Sequence, residues 1–121
     1  MDKVLIIDDD QKNIFALTAM LRSKGYNTVS ALGADEGLQL LQQSSGIGIV
    51  LLDMMMPDVD GYEMLSRIRN HDSLSAMPVI SVTAQAMPGD REKCLAAGAD
   101  EYVSKPIDVD RLIQLLNEHL K

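Results

Sequence analysis

Cys94 is the only cysteine in the sequence, so no internal disulfide can form and a reducing, cytoplasmic setting is expected. Basic residues are scarce, 11 Lys and Arg against 18 Asp and Glu, for a net charge of −7. That balance speaks against direct binding of nucleic acid, whose phosphate backbone is held by clustered cations. It suits a cation as ligand instead. No apolar run approaches the roughly 18 residues of a membrane span, so no membrane association is expected. A basic segment leading into an apolar stretch and a small-residue cleavage site is also missing, so secretion is not expected. The 121 residues leave no room for a second module. One domain, 1–121, is expected, with a core burying roughly two-thirds of the unfolded surface.

Short apolar runs of strand type occupy 4–7, 28–31, 47–52, 79–82 and 102–103, and each is followed by a stretch with helical spacing. Ile14, Leu17 and Leu21 follow the first run, Leu38 and Leu41 the second, Met64, Leu65 and Ile68 the third, and Leu112, Leu115, Leu116 and Leu120 the last. Gly25, Gly46 and Gly98 fall where helices should stop. Regular alternation of β and α elements predicts an α/β domain with a parallel sheet covered by helices on both faces. Right-handed crossovers place every strand's carboxyl end on one edge of such a sheet, and ligands bind there.

The residues just past each run therefore carry the functional information. They are Asp8, Asp9 and Asp10 after the first, Asp53 after the third, Thr83 after the fourth and Lys105 after the fifth. The third run is the most pointed: IVLLDMMMPDVDGY delivers one carboxylate, Asp53, at the end of a buried strand, and Pro57 with Asp60 and Gly61 then turns the chain into a helix. Carboxylates converging on one edge repel each other. A hard divalent ion, Mg²⁺ above all, relieves the repulsion, keeps several waters and leaves positions for phosphate oxygens. Lys105 adds a compact positive charge and Thr83 a hydroxyl donor, which together read as a phosphoryl site. An aspartate can itself be the nucleophile toward phosphorus, while a metal and a lysine neutralise charge on the equatorial oxygens.

Other features have plainer readings. Asp10 is expected to cap the first helix, and Asp60 to make a turn or cap the third. Met54 is expected in the core, Met55 and Met56 exposed near the site, and Cys94 to act as a small hydrophobe on a helix. Gly46 and Gly48 precede a strand instead of following one, so they are no dinucleotide fingerprint.

Four segments together resemble the receiver domain of two-component response regulators: VLIIDDD, LLDMMMPDVDGYEML, VISVTAQA and GADEYVSKPID. Thr83 and Lys105 stand 30 and 52 positions beyond Asp53, as in that family. The resemblance spans essentially the whole chain. It implies a flavodoxin-like doubly wound (βα)5 fold with a five-stranded parallel sheet in the order 2-1-3-4-5. It makes Asp53 the phosphoacceptor, with Asp9 binding Mg²⁺ directly, Asp8 through water and Met55 through its backbone carbonyl. Thr83 and Lys105 contact the phosphoryl oxygens, Tyr102 is the aromatic that turns inward when Thr83 moves, and Pro106 follows a cis peptide bond. The donor is expected to be a phosphohistidine on a histidine kinase or histidine phosphotransfer protein, since neither His71 nor His119 resembles a donor. That partner is expected to dock around Asn13, Ala16 and Leu17 of the first helix and at Pro106 and Ile107. Phosphorylation is expected to alter the face formed by the fourth helix, fifth strand and fifth helix, which a downstream protein target reads.

The segment DDQKN somewhat resembles receivers of hybrid histidine kinases. Two other classes compete. A phosphorylation-independent pseudo-receiver usually lacks one of the acids or the lysine, all of which are here. A metal-dependent phosphatase would want a second acid two residues beyond the nucleophile, where Met55 stands.

Overall fold

Alternation of buried apolar strands with amphipathic helices produces the element order β1 (Lys3–Ile7), α1 (Gln11–Ser23), β2 (Asn27–Ala31), α2 (Ala34–Gln43), β3 (Ile47–Asp53), α3 (Gly61–Asn70), β4 (Val79–Thr83), α4 (Asp90–Ala96), β5 (Glu101–Ser104) and α5 (Val109–His119). The computed structural model describes residues 2–43, 46–56, 60–84 and 88–120. The strands form one sheet in the order β2-β1-β3-β4-β5, with every neighbouring pair parallel. The expected doubly wound, flavodoxin-like fold is therefore the observed one. Each strand runs at least one residue further than its apolar run predicts, and at the carboxyl ends this adds polar residues: Asp53 closes β3 opposite Val82, and Thr83 closes β4 opposite Ser104, the last residue of β5.

Side chains alternate across the sheet, as the period of two requires. Leu5, Ile7, Val50, Leu52 and Val79 point into one layer, where they meet Leu41 of α2, Met64, Leu65 and Ile68 of α3, and Cys94 of α4. Val4, Ile6, Ile49, Leu51, Ile80 and Val103 point into the other, against Leu21 of α1 and Leu112, Leu115 and Leu116 of α5. A strand covered on both faces reads as a continuous apolar run, which is why residues 49–52 show no alternation. Each fully buried side chain of this size contributes roughly 1.5–3 kcal/mol of transfer free energy.

Helix ends follow local chemistry. The Asp10 side chain accepts from Lys12 N–H at 2.9 Å to cap α1, Asp60 accepts from Glu63 N–H at 2.9 Å to cap α3, and Asp108 caps α5 through Arg111 N–H. Gly25 and Gly98 terminate α1 and α4 with φ of 91° and 117°, in the left-handed region that glycine enters without a Cβ penalty. The Lys105–Pro106 peptide is cis, as the resemblance implies. Among the described residues, no helix is long and apolar enough to cross a membrane.

Candidate functional site

Register builds the site. Ile7 pairs with Leu52, so the residues immediately after them, Asp8 and Asp53, leave β1 and β3 side by side. Both carboxylates are buried, at 3% and 5% exposure, while Asp9 is exposed. Backbone groups fix both buried acids: Asp10 N–H donates to Asp8 Oδ1 at 2.9 Å, and Met55 N–H donates to Asp53 Oδ1 at 3.0 Å. Lys105 Nζ lies 3.6 Å from Asp8 Oδ2 and 3.9 Å from Asp53 Oδ1. Its own N–H donates to the Thr83 carbonyl at 2.7 Å, tying the lysine to the end of β4. Thr83 is buried beside it.

Burial pushes the Asp53 carboxyl above the ordinary carboxylate range. The Met55 N–H opposes that rise, the Asp8 charge adds to it, Lys105 opposes it, and a hydrogen bond with the Asp8 side chain adds again. Removal from water thus outweighs the help from one N–H and one lysine. Asp8, Asp9 and Asp53 each offer a carboxylate oxygen within 4.8 Å of the others. An all-oxygen set of this kind, two members buried and one reaching solvent, fits a hard divalent cation, whose charge would answer the unfavourable ionisation of Asp53.

The structure brings Asp8, Asp9, Asp53, Thr83 and Lys105 to one edge, and Met55 to its rim. Met54 is in the core as expected, and Met55 is 47% exposed, but Met56 is 6% exposed and packs with Met54 and Met64. The expectation that Met56 faces solvent is therefore wrong. The apolar Met56 side chain is removed from water within the core layer that also holds Met54, Met64 and Leu65, a gain that outweighs the tendency of loop residues to be exposed. Tyr102, expected to be the mobile aromatic, is half-buried on β5 against the α3–α4 layer, and burial raises its phenol pKa, with the Asp90 charge adding to the rise. Pro57 lies outside the described residues.

A groove of about 330 Å³ opens beside the acids, lined by Asn13, Ala16, Leu17 and Met20 of α1 and by Lys105, Pro106, Ile107 and Val109. It joins the two segments expected to form the docking surface.

Three arrangements escaped the sequence. Arg69 of α3 donates to the carbonyls of Gly98, Ser75 and Met77 and to Asp100 Oδ2, at 2.6–3.1 Å. Tyr62 meets Cys94 at 3.6 Å between its hydroxyl and the sulfur, with Lys93 Nζ 4.6 Å from the ring centroid, and its phenol is pushed up to about 12 by burial and by Cys94. Glu101, Glu118 and His119 gather at the far end of β5. Backbone carbonyls and distant partners leave no spacing signal, so only the fold reveals them.

The architecture and this edge define a doubly wound parallel α/β domain with an acidic, lysine-flanked carboxyl edge, and comparison with known proteins assigns its family. The response regulator receiver domain family matches residues 4–117, and the chain belongs to it, placing it among the receivers of two-component signalling. The polar-differentiation response regulator DivK of Brucella anthropi is 33% identical over 117 residues, covering 97% of this chain and 94% of that protein. The Francisella response regulator 1452 receiver domain superposes with a TM-score of 0.88 at 30% identity, covering 98% of this chain and 95% of that one. The receiver domain of the sensor histidine kinase PA1611 from Pseudomonas aeruginosa, solved with a magnesium ion coordinated in its active site cleft, has a TM-score of 0.87 at 30% identity, covering 98% and 96%.

Proposed function

We propose that residues 1–121 act as one cytoplasmic receiver domain, a switch that accepts a phosphoryl group onto Asp53 from a phosphohistidine of a histidine kinase or histidine phosphotransfer protein. The observation that carries this reading is the position of Asp53: a buried strand end, beside Asp8 and Asp9 and 3.9 Å from Lys105. An Asp53 carboxylate oxygen forms the new P–O bond as the P–N bond to the donor imidazole breaks, and the imidazole leaves with the electron pair.

Asp8, Asp9, Asp53 and the Met55 carbonyl are the groups that would hold Mg²⁺. When bound, the ion supplies charge neutralisation and a template for the phosphoryl oxygens. Lys105, now shared between Asp8 and Asp53, turns to the incoming oxygens as a third anionic partner arrives. The Thr83 hydroxyl donates to the same group. Movement of Thr83 gives Tyr102 room to turn inward, so that charge added at Asp53 reaches the α4–β5–α5 face, where a protein target reads it. The groove between α1 and Pro106–Ile107 would seat the donor. The chain then catalyses only its own phosphorylation and dephosphorylation, and the net charge of −7 fits an output by protein contact without direct nucleic-acid binding.

Incubation with Mg²⁺ and a small acyl phosphate, followed by intact mass measurement, tests this. One phosphoryl group is expected on the parent protein and none on Asp53→Asn or in excess chelator. Full labelling of Asp53→Asn at a residue other than Asp8 or Asp9 would overturn the assignment.

A further inference from the structure

Glu101, Glu118 and His119 lie at the amino edge of the sheet, away from the acid cluster. Glu101 opens β5, and Glu118 and His119 are the last two residues of α5. We propose that these three side chains form a second metal site, for a zinc-class divalent cation.

Geometry is the first ground. Each side chain offers a ligand atom within 4.8 Å of the others, and His119 Nε2 is 3.7 Å from Glu101 Oε2. Tetrahedral coordination at about 2.0–2.2 Å separates ligand atoms by roughly 3.3–3.6 Å. One edge of the triangle is therefore already near its bound length, and the others close by side-chain rotation. Ligands drawn from a strand start and a helix end are held by different elements of the fold, so the gap between them is set by the packing of α5 on the sheet.

Charge is the second. Among the described residues, no lysine or arginine pairs with Glu101 or Glu118, and the ion-pair contact in the cluster is with His119 itself. Two carboxylates thus share one imidazole as their only nearby partner among the described residues, at the helix end where the macrodipole favours positive charge. A cation answers both.

Donor chemistry then selects the ion. The Asp8–Asp9–Asp53 set is all oxygen and suits Mg²⁺, whereas an imidazole nitrogen with two carboxylates suits zinc and its neighbours. The side chains of His119 and Glu101 are 26% and 25% exposed, which restrains them, while Glu118 is exposed and leaves an entry path with room for water as fourth ligand. The bound ion would fasten the end of α5 to the start of β5. This site does not depend on the phosphoryl reading and survives its failure.

Calorimetric titration of the full chain with zinc chloride, in excess Mg²⁺ to fill the all-oxygen cluster, tests the proposal. One zinc ion per chain is expected, with affinity reduced about tenfold or more in His119→Ala and reduced also in Glu118→Gln, whose exposed position leaves the fold intact. Cobalt substitution should give the intense visible absorption of a tetrahedral centre, lost in His119→Ala. Absence of saturable zinc binding by the parent, unchanged affinity in both variants, or loss of binding in Asp9→Ala instead would overturn it.

Discussion

Lys105 Nζ stands 3.9 Å from Asp53 Oδ1, near enough for strong attraction and beyond the 2.7–3.2 Å of a hydrogen bond. The lysine is therefore held by charge and not locked to the acid by a short contact. It can swing toward a third anion without first breaking a hydrogen bond to Asp53. That looseness, together with the shared contact to Asp8, makes the cation movable while the two acids stay fixed by backbone N–H groups.

Lys105→Gln should separate two properties that usually fall together. Loss of the positive charge leaves Asp8 and Asp53 repelling, so Mg²⁺ should bind several-fold more tightly, while phosphoryl labelling of Asp53 slows by about 10²-fold or more, as for loss of one charge-stabilising donor. Calorimetry and intact mass measure the two effects. A fall in both together would mean that Lys105 builds the site instead of serving the phosphoryl group.

Asp53→Asn should stabilise the metal-free protein at neutral pH. The raised Asp53 carboxyl means that the folded state binds this proton more tightly than the unfolded chain does. Its contribution favours folding at low pH and becomes a full penalty once pH exceeds the raised folded value. The variant should therefore melt at a higher temperature than the parent near neutrality. The difference should shrink as pH falls through the Asp53 titration, and Mg²⁺ should raise the melting temperature of the parent more than that of the variant.

Arg69→Met should lower stability by about 2–4 kcal/mol in urea unfolding, because several carbonyls and Asp100 lose their donor at once. Arg69→Lys should recover little: a single ammonium cannot reproduce a planar fork that reaches Gly98, Met77 and Asp100 together. Recovery to within ~0.5 kcal/mol of the parent would show that charge, not fork geometry, matters there.

Gly61→Ala should destabilise the β3–α3 connection and weaken Mg²⁺ binding. A Cβ at Gly61 would meet Met54 Sδ at 2.3 Å and Met54 Cα at 2.6 Å. Trimming the side chain in Gly61→Ala/Met54→Ala should not restore stability, since the backbone contact persists. Restoration by the double variant would place the conflict in the side chain alone.

Much of the site was legible because its members follow buried strands. Asp8, Asp53 and Thr83 each end or follow an apolar run, and the parallel sheet turns that one-dimensional fact into convergence on an edge. Asp10 and Asp60 were legible as caps because a cap bonds within three residues of itself. Met56 was misread because an irregular loop has no period from which to infer direction. Arg69 was invisible, since its main acceptors are carbonyls of Gly98, Ser75 and Met77, and a carbonyl carries no residue identity. The Glu101–His119 contact depends on how the end of α5 lies over the start of β5, which no local pattern specifies.

The pairing of β1 with β3 has a further consequence, for the folding of the chain. Asp8 and Asp53 are 45 positions apart and become neighbours through that ladder alone. A nascent or partly unfolded chain without it has two ordinary solvated aspartates and no reason to hold a divalent ion there. Closing so long a loop comes before the contact is rewarded, so the acid pocket appears only with the non-local centre of the sheet. On the proposed reading, Mg²⁺ binding would therefore be a mark of maturity: a chain that answers the ion would already have joined β1 to β3, the strand neighbours most distant in sequence.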